Sequence, residues 1–429
     1  MVPGDPLDLE LKERASLEEE KQLPSLQTQD STTCETRERS KYDYLDKLFS
    51  FLTTRPTEED GGELNPVLCG YFSKLVSTLV LRRPKEFFLY ISERPMALHQ
   101  MARHLYSRGI SDTLSQILMN ESHGLEDTST FGDFNELRTA VLEDVLLALN
   151  PENAPWLLTN AASVIINILA RPHFFEAMTT PHFLKLLFNA LLGTDTPSPA
   201  DVRSNAVRIL TALLAQYKQK LSSADKKAAE EEEPKTSHST DDDDDVIIGA
   251  DDSPKKAAAP STPTTEISED QPPEIQEPTP FIEAIHENFP KLVALLDEEP
   301  ENGIDSITGQ QVARFGRSRL SIVEIIGDIV KLNDIGLSSR IVDSNILRKL
   351  VLLFGKHEWN NLLHFKLDLI FTEILRNFEQ CPELLRSLFL DAHFLVCVTQ
   401  LVRSDDFVLT NSTARRIERG FQPYMVRFI

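Results

Sequence analysis

The stretch VLCGYFSKLVSTLVLRRPKEFFLYI, residues 67–91, decides the fold class. Apolar side chains come in neighbouring pairs one helical turn apart: Tyr71 with Phe72, Leu75 with Val76, Leu79 with Val80. That is the 3.6-residue period of a helix, with an apolar face too wide for an isolated amphipathic helix. Arg82-Arg83-Pro84 closes this segment and opens PKEFFLYIS, since proline suits the first helical position and breaks a helix interior. Two helices joined by a short turn are therefore expected, each covered by neighbours.

The same rhythm extends both ways. Upstream, YDYLDKLFSFL (42–52) puts Tyr44, Leu45, Leu48, Phe49 and Leu52 on one stripe, before Pro56, Gly61, Gly62 and Pro66 break it. Downstream, PMALHQMARHLYS opens at Pro95 and is expected to end near Gly109, and SDTLSQILM is expected to start from Ser111 or Asp112 as a cap. FNELRTAVLEDVLLAL, ASVIINILA, PHFLKLLFNALLG and ADVRSNAVRILTALLAQYKQKL follow. Helices resume at Phe281 with FIEAIHENFPKLVALL, QQVARFGRSRLSIVEIIGDIVKL, NILRKLVLLFG, NNLLHFKLDLIFTEILRNF and PELLRSLFLDAHFLVCVTQLV. Strand-type alternation is essentially absent, and 16 Gly in 429 residues is sparse for a β-rich chain. The fold class is all-α, an irregular HEAT- or armadillo-like stack of helical hairpins with one face expected to be a long concave platform.

Composition divides the chain. Residues 1–40 are charged and poor in aromatics, and are expected to be disordered. Residues 41–221 form the first helical block and 281–429 the second. Between them, residues 222–280 hold 17 acidic and 5 basic residues, a net of −12 out of the chain's −23. This insert has too little apolar surface to fold and is expected to be disordered. Within it Ser253, Thr262 and Thr279 each precede proline, which suits proline-directed kinases. The run Asp241–Asp245 reads as a solvated repulsive segment rather than a cation site, because a flexible run lacks a fixed cage.

A chain of this charge is repelled by phosphate backbones and anionic bilayers, so neither nucleic acid nor a membrane is an expected partner. Cys34, Cys69, Cys381 and Cys397 show no C-x-x-C spacing and are expected to be free thiols. The polar, acidic N-terminus does not read as a signal peptide, and a cytoplasmic location, with the nucleus as a second, is expected.

No phosphate-binding loop, dinucleotide fingerprint or nucleophile elbow is present. HEWNNLLH (357–364) imitates a zinc-protease signature, but its two His lie seven apart, about 10 Å of rise even on one continuous helix. Asn360 and Asn361 look instead like a helix start, with Trp359 plugging the junction before it or serving as a recognition residue. His99 and His104 fall on different faces of one expected helix. The acidic pairs Glu143-Asp144 and Glu298-Glu299 read as solvated faces. Arg314, Arg317 and Arg319 cluster before SIVEIIGDIVKL, with Arg203 and Arg208 at a comparable place before the insert. Cations in a first helical turn oppose the helix dipole, so a carboxylate from the chain or a partner is expected beside them. Neither a metal, a cofactor nor enzymatic activity is expected.

Three stretches resemble the SAPS domain found in regulatory subunits of protein phosphatase 6 and their yeast counterpart: NPVLCGYFSKLVSTLVLRRPKEFFLYI (65–91), GRSRLSIVEIIGDIVKL (316–332) and LFGKHEWNNLLHFKLDLIFTEIL (353–375). On matched positions the resemblance carries over Asn65, Pro66, Tyr71, Phe72, Lys74, Arg319, Leu320, Val323, Glu324, Trp359, Asn360, Asn361, Leu363 and His364. Ser318 stands where that family has Thr, and GFQPYMVRFI stops where the domain usually continues, so a further helix pair is expected beyond Ile429. The resemblance implies a non-catalytic subunit that binds a phosphatase 6-type catalytic subunit and, in animals, an ankyrin-repeat partner. Tyr71, Phe72, Lys74, Arg317, Arg319, Glu324, Trp359, Asn360, Asn361 and His364 are the candidate contacts. The alternative is an armadillo-type adaptor or transport solenoid, which two Trp, Trp156 and Trp359, are too few to support as a ladder.

Overall fold

The structure is a computed structural model, and it describes residues 41–53, 63–120, 128–194, 196–232, 279–298, 303–305, 311–403 and 421–425. The disorder expected for residues 1–40, the core of the acidic insert, and the sites Ser253 and Thr262 lie outside the described residues. Before Leu48 the described residues only begin helix α1 (Asp43–Ser50).

From Leu48 onward the chain is a succession of helical hairpins. The helices are α2 (Pro66–Arg82), α3 (Pro84–Glu93), α4 (Met96–Arg103), α5 (Arg108–Met119), α6 (Thr128–Leu147), α7 (Pro155–Ile168), α8 (Pro172–Met178), α9 (Pro181–Leu192), α10 (Ala200–Glu232), α11 (Pro280–Ala294), α12 (Arg317–Val330), α13 (Ile335–Asp343), α14 (Ile346–Lys356), α15 (Asn361–Arg376), α16 (Pro382–Arg386), α17 (Phe394–Arg403) and α18 (Gln422–Met425). Helices α2, α5, α7, α10, α12 and α15 pack successively into one row. A second row, α4, α6, α9, α11, α13 and α16, lies against it, so each hairpin gives one helix to each row. This is the repeat logic of a solenoid, in which each unit buries its apolar faces only on its neighbours.

Proline sets the joints. Pro66, Pro84, Pro155, Pro172, Pro181, Pro280 and Pro382 all occupy a first helical turn. Much of the wide apolar faces is buried between neighbours, although Val67, Leu68, Tyr71 and Leu75 of α2 stay exposed. Val76, Ile91, Leu98, Leu114, Ile165, Leu210, Ile326 and Leu367 are fully buried, each contributing about 1.5–3 kcal/mol relative to exposure. A two-residue antiparallel pairing of Ile304–Asp305 with Gln311–Val312 is the one strand feature among the described residues.

Five expectations are corrected, the first being that QQVARFG is helical: Gln311–Val312 is a strand and α12 starts only at Arg317. Gly109 does not end a helix: α5 starts at Arg108 and contains Gly109 and Ser111. The reason is packing, since a Cβ on Gly109 would lie 3.0 Å from Ser73 Oγ and 3.4 Å from its Cβ on α2, a tight approach that glycine relieves. Helix α10 runs past residue 221 to Glu232, because ADKKAAEEE is built of strong helix formers and keeps the helix going into the acidic segment. Thr279 is not in flexible chain but at the N-cap of α11, accepting from the Ile282 amide and hydrogen-bonded to the Tyr217 hydroxyl at 3.1 Å. Finally, PELLRSLFLDAHFLVCVTQLV is broken, with α16 and a π-turn over Ser387–Asp391 bent by 51° from α17 at His393, whose φ is +52°. No single helix among the described residues is long and apolar enough to cross a membrane.

Candidate functional site

At the HEWNNLLH junction the two histidines have separate packing partners. Helix α14 ends at Lys356 with His357 as its C-cap, and α15 begins at Asn361. Asn360 is the N-cap, its Oδ1 accepting from the Leu363 amide at 3.1 Å, and Asn361 is the exposed first helical residue. His364 is fully buried, with Nε2 3.2 Å from the Phe354 carbonyl and its ring stacked on Phe354 at 4.7 Å. His357 turns away to meet Phe315 edge-on at 5.0 Å. Trp359 is half-buried between the helices. No group of three metal-ligating side chains occurs among the described residues.

The remaining candidate contacts separate into core and surface. Phe72 is core, edge-on to Phe49 at 5.5 Å, whereas Tyr71 and Lys74 stand on the exposed side of α2. Asn65 caps α2 through Oδ1, which accepts from the Val67 and Leu68 amides. Beside Tyr71, Val67, Leu68 and Leu75 are also more than half exposed. At the other end of the same row, Leu362, Phe365 and Leu369 are exposed on α15. Glu324 on α12 is held by Lys366 of α15 at 2.6 Å, a tie between neighbouring helices of the row.

The arginines that the sequence places in two distant clusters meet in one cleft of about 970 Å³. Its walls are the start of α7, the start of α10 with Arg203 and Arg208, and the start of α12 with Arg317 and Arg319. All three helices belong to one row, and among the described elements α10 packs extensively on α12. Arg203 is buried, its Nη1 2.7 Å from Glu298 Oε2 and its Nη2 donating to the Ser198 carbonyl at 3.1 Å. Arg319 is also buried, its guanidinium 4.6 Å above the Phe315 ring. Arg208 and Arg317 are exposed. Arg208 donates to Asn205 Oδ1 at 2.9 Å, and Arg317 has no hydrogen bond or ion pair among the described residues. Arg314 lies just outside this lining. The expected carboxylate is present for Arg203: it is Glu298, read as solvated from the sequence. Nothing local marks that pairing, which crosses 95 positions.

The acidic pair Glu143-Asp144 is likewise divided between helices. Glu143 meets His182 Nε2 at 2.9 Å and Asp144 meets His99 Nδ1 at 2.5 Å. His104, expected to share a helix with His99, caps the end of α4 and reaches the Leu52 carbonyl at 2.8 Å.

A family model described as "SIT4 phosphatase-associated protein" matches residues 76–428. Among curated proteins, the chain is 20% identical over 370 residues to the Xenopus laevis serine/threonine-protein phosphatase 6 regulatory subunit 3-A, covering 82% of this chain and 39% of that one. It is also 20% identical over 365 residues to the Gallus gallus serine/threonine-protein phosphatase 6 regulatory subunit 3, covering 82% and 36%. The chain thus spans less than half the length of these relatives. With the match running through nearly every helix described above, the chain belongs to the SAPS family.

Proposed function

We propose that this chain is a non-catalytic regulatory subunit that binds the catalytic subunit of a phosphatase 6-type Ser/Thr phosphatase and directs its choice of substrate. The observation that carries this reading is the SAPS match over residues 76–428, together with relatives named as regulatory subunits of that phosphatase. The surface is consistent with it. Scattered exposed apolar residues are ordinary, but clusters at Val67, Leu68, Tyr71 and Leu75 and at Leu362, Phe365 and Leu369 are what a protein-binding face offers. A scaffold of this kind acts by holding enzyme and substrate together, which raises their effective concentration.

The test is affinity capture of the tagged, full-length chain from cells, with mass spectrometry of what it retains. Recovery of a phosphatase catalytic subunit supports the proposal. A folded, helical chain that retains none at low salt overturns it.

A further inference from the structure

We propose that the arginine cleft between α7, α10 and α12 is a recognition site for a phosphorylated serine or threonine in an extended segment of a partner protein. Its purpose rests on the regulatory reading above, because a bound phosphoprotein is what a substrate-directing subunit would retain. The binding itself does not depend on that reading.

Charge is the first argument. The chain carries −23, yet this one cleft gathers four arginines against two carboxylates, Asp201 and Glu298. Glu298 is already engaged by Arg203. The lining is left with a formal excess of two positive charges. A phosphate monoester carries about −1.5 to −2 charges near neutral pH and matches that excess, whereas a single carboxylate leaves half of it. Nucleic acid offers the same phosphate chemistry but meets repulsion from the rest of the chain.

Unused donors are the second argument. Arg317 donates to no acceptor among the described residues, and Arg208 uses one donor. Arg203, held by Glu298 and the Ser198 carbonyl, adds charge to the lining. Gly316, at φ +83°, is the N-cap of α12 and brings no side-chain acceptor to the first amides of that helix. Arg317 and Arg319 in this turn add positive charge to the positive end of the helix dipole. That arrangement is unfavourable alone and becomes favourable once an anion sits there. Guanidinium forks suit the oxygens of a phosphate through paired, charge-assisted hydrogen bonds.

The two exposed arginines allow a test that spares the fold. Fluorescence anisotropy would compare a degenerate phosphoserine peptide pool with its unphosphorylated counterpart, inorganic phosphate and a peptide of residues 237–248, using the full chain and the double variant Arg208→Gln/Arg317→Gln. The phosphoserine pool is expected to bind at least about tenfold more tightly than the unphosphorylated one, since two charge-assisted bonds are worth that much or more. The double variant is expected to lose this preference with an unchanged circular dichroism spectrum, and inorganic phosphate to compete. Equal binding of both pools, an unaltered preference in the variant, or equally tight binding of the Asp-rich peptide would overturn the assignment. Phosphatase capture by the unsubstituted chain, set beside its own peptide preference, separates the two proposals. A phosphopeptide preference without any phosphatase recovered would sink only the regulatory reading, and phosphatase recovered without a preference would sink only this one.

Discussion

Arg203 and Glu298 are 95 positions apart, and their side chains meet at 2.7 Å, with the guanidinium 6% exposed and the carboxylate 48% exposed. This asymmetry determines what each mutation does. Arg203→Met removes the buried charge and its packing and strands the Ser198 carbonyl, and is expected to destabilise by about 2–4 kcal/mol. Glu298→Gln leaves the buried guanidinium with a neutral acceptor, and the pair's solvent exposure lowers its expected cost to about 1–2 kcal/mol. Urea unfolding followed by circular dichroism checks the order; a costlier Glu298→Gln would contradict it.

Asn360 and Asn361 are neighbours with different tasks. Asn360→Ala removes the hydrogen bond to the Leu363 amide and is expected to cost about 1 kcal/mol. Asn361→Ala acts at an exposed first helical position and is expected to stay within about 0.5 kcal/mol of the parent. The same unfolding experiment on both variants reads the difference.

Gly109 is where α5 crosses α2. Gly109→Val places atoms beyond a Cβ that already lies 3.0 Å from Ser73 Oγ, so the helices must separate. A loss of about 2–3 kcal/mol is expected from overpacking. A companion Ser73→Gly change is expected to recover part of it, and no recovery would show that the strain lies elsewhere.

Burial pushes the Cys69 thiol above its ordinary ionisation range. Because the thiolate is the reactive species, alkylation of Cys69 in the folded chain is expected to be slow at neutral pH and to rise only in more alkaline buffer. Among the described cysteines, half-buried Cys397 is expected to react before buried Cys69 and Cys381. Iodoacetamide labelling read by peptide mass spectrometry, with and without urea, gives the order directly.

Tyr71 and Leu75 separate folding from binding. Both are more than half exposed on α2, so Tyr71→Ala/Leu75→Ser is expected to change stability by less than about 0.5 kcal/mol per site. If this face contacts the phosphatase, capture falls several-fold. Full capture would move the contact to another face, and the α15 residues Leu362 and Phe365 would then be tested in the same way.

Much of the architecture was legible in the sequence. Apolar residues one turn apart at Phe72 and Val76 announced a packed helix, although their neighbours Tyr71 and Leu75 stand exposed; Pro84 announced a joint and Asn360 a cap. Where reading failed, a local signal had a distant cause. Gly109 resembled a terminator because glycine ends helices, but it was there to admit α2. Glu298 resembled a solvated acid because its guanidinium lies on another helix. Of the candidate contacts, Tyr71 and Phe72 are adjacent letters, yet one is surface and the other core.

The sequence by itself determined that this chain is helical and where most of its hairpins turn, because caps, prolines and apolar spacing act over three or four residues along one backbone. Its place with the SAPS proteins rested on the likeness of three motifs. Only the tertiary structure decided that Arg203, Arg208, Arg317 and Arg319 share a cleft. Their meeting depends on α10 lying against α12, with the acidic insert between them in sequence, and side-chain packing between helices leaves no period along the chain.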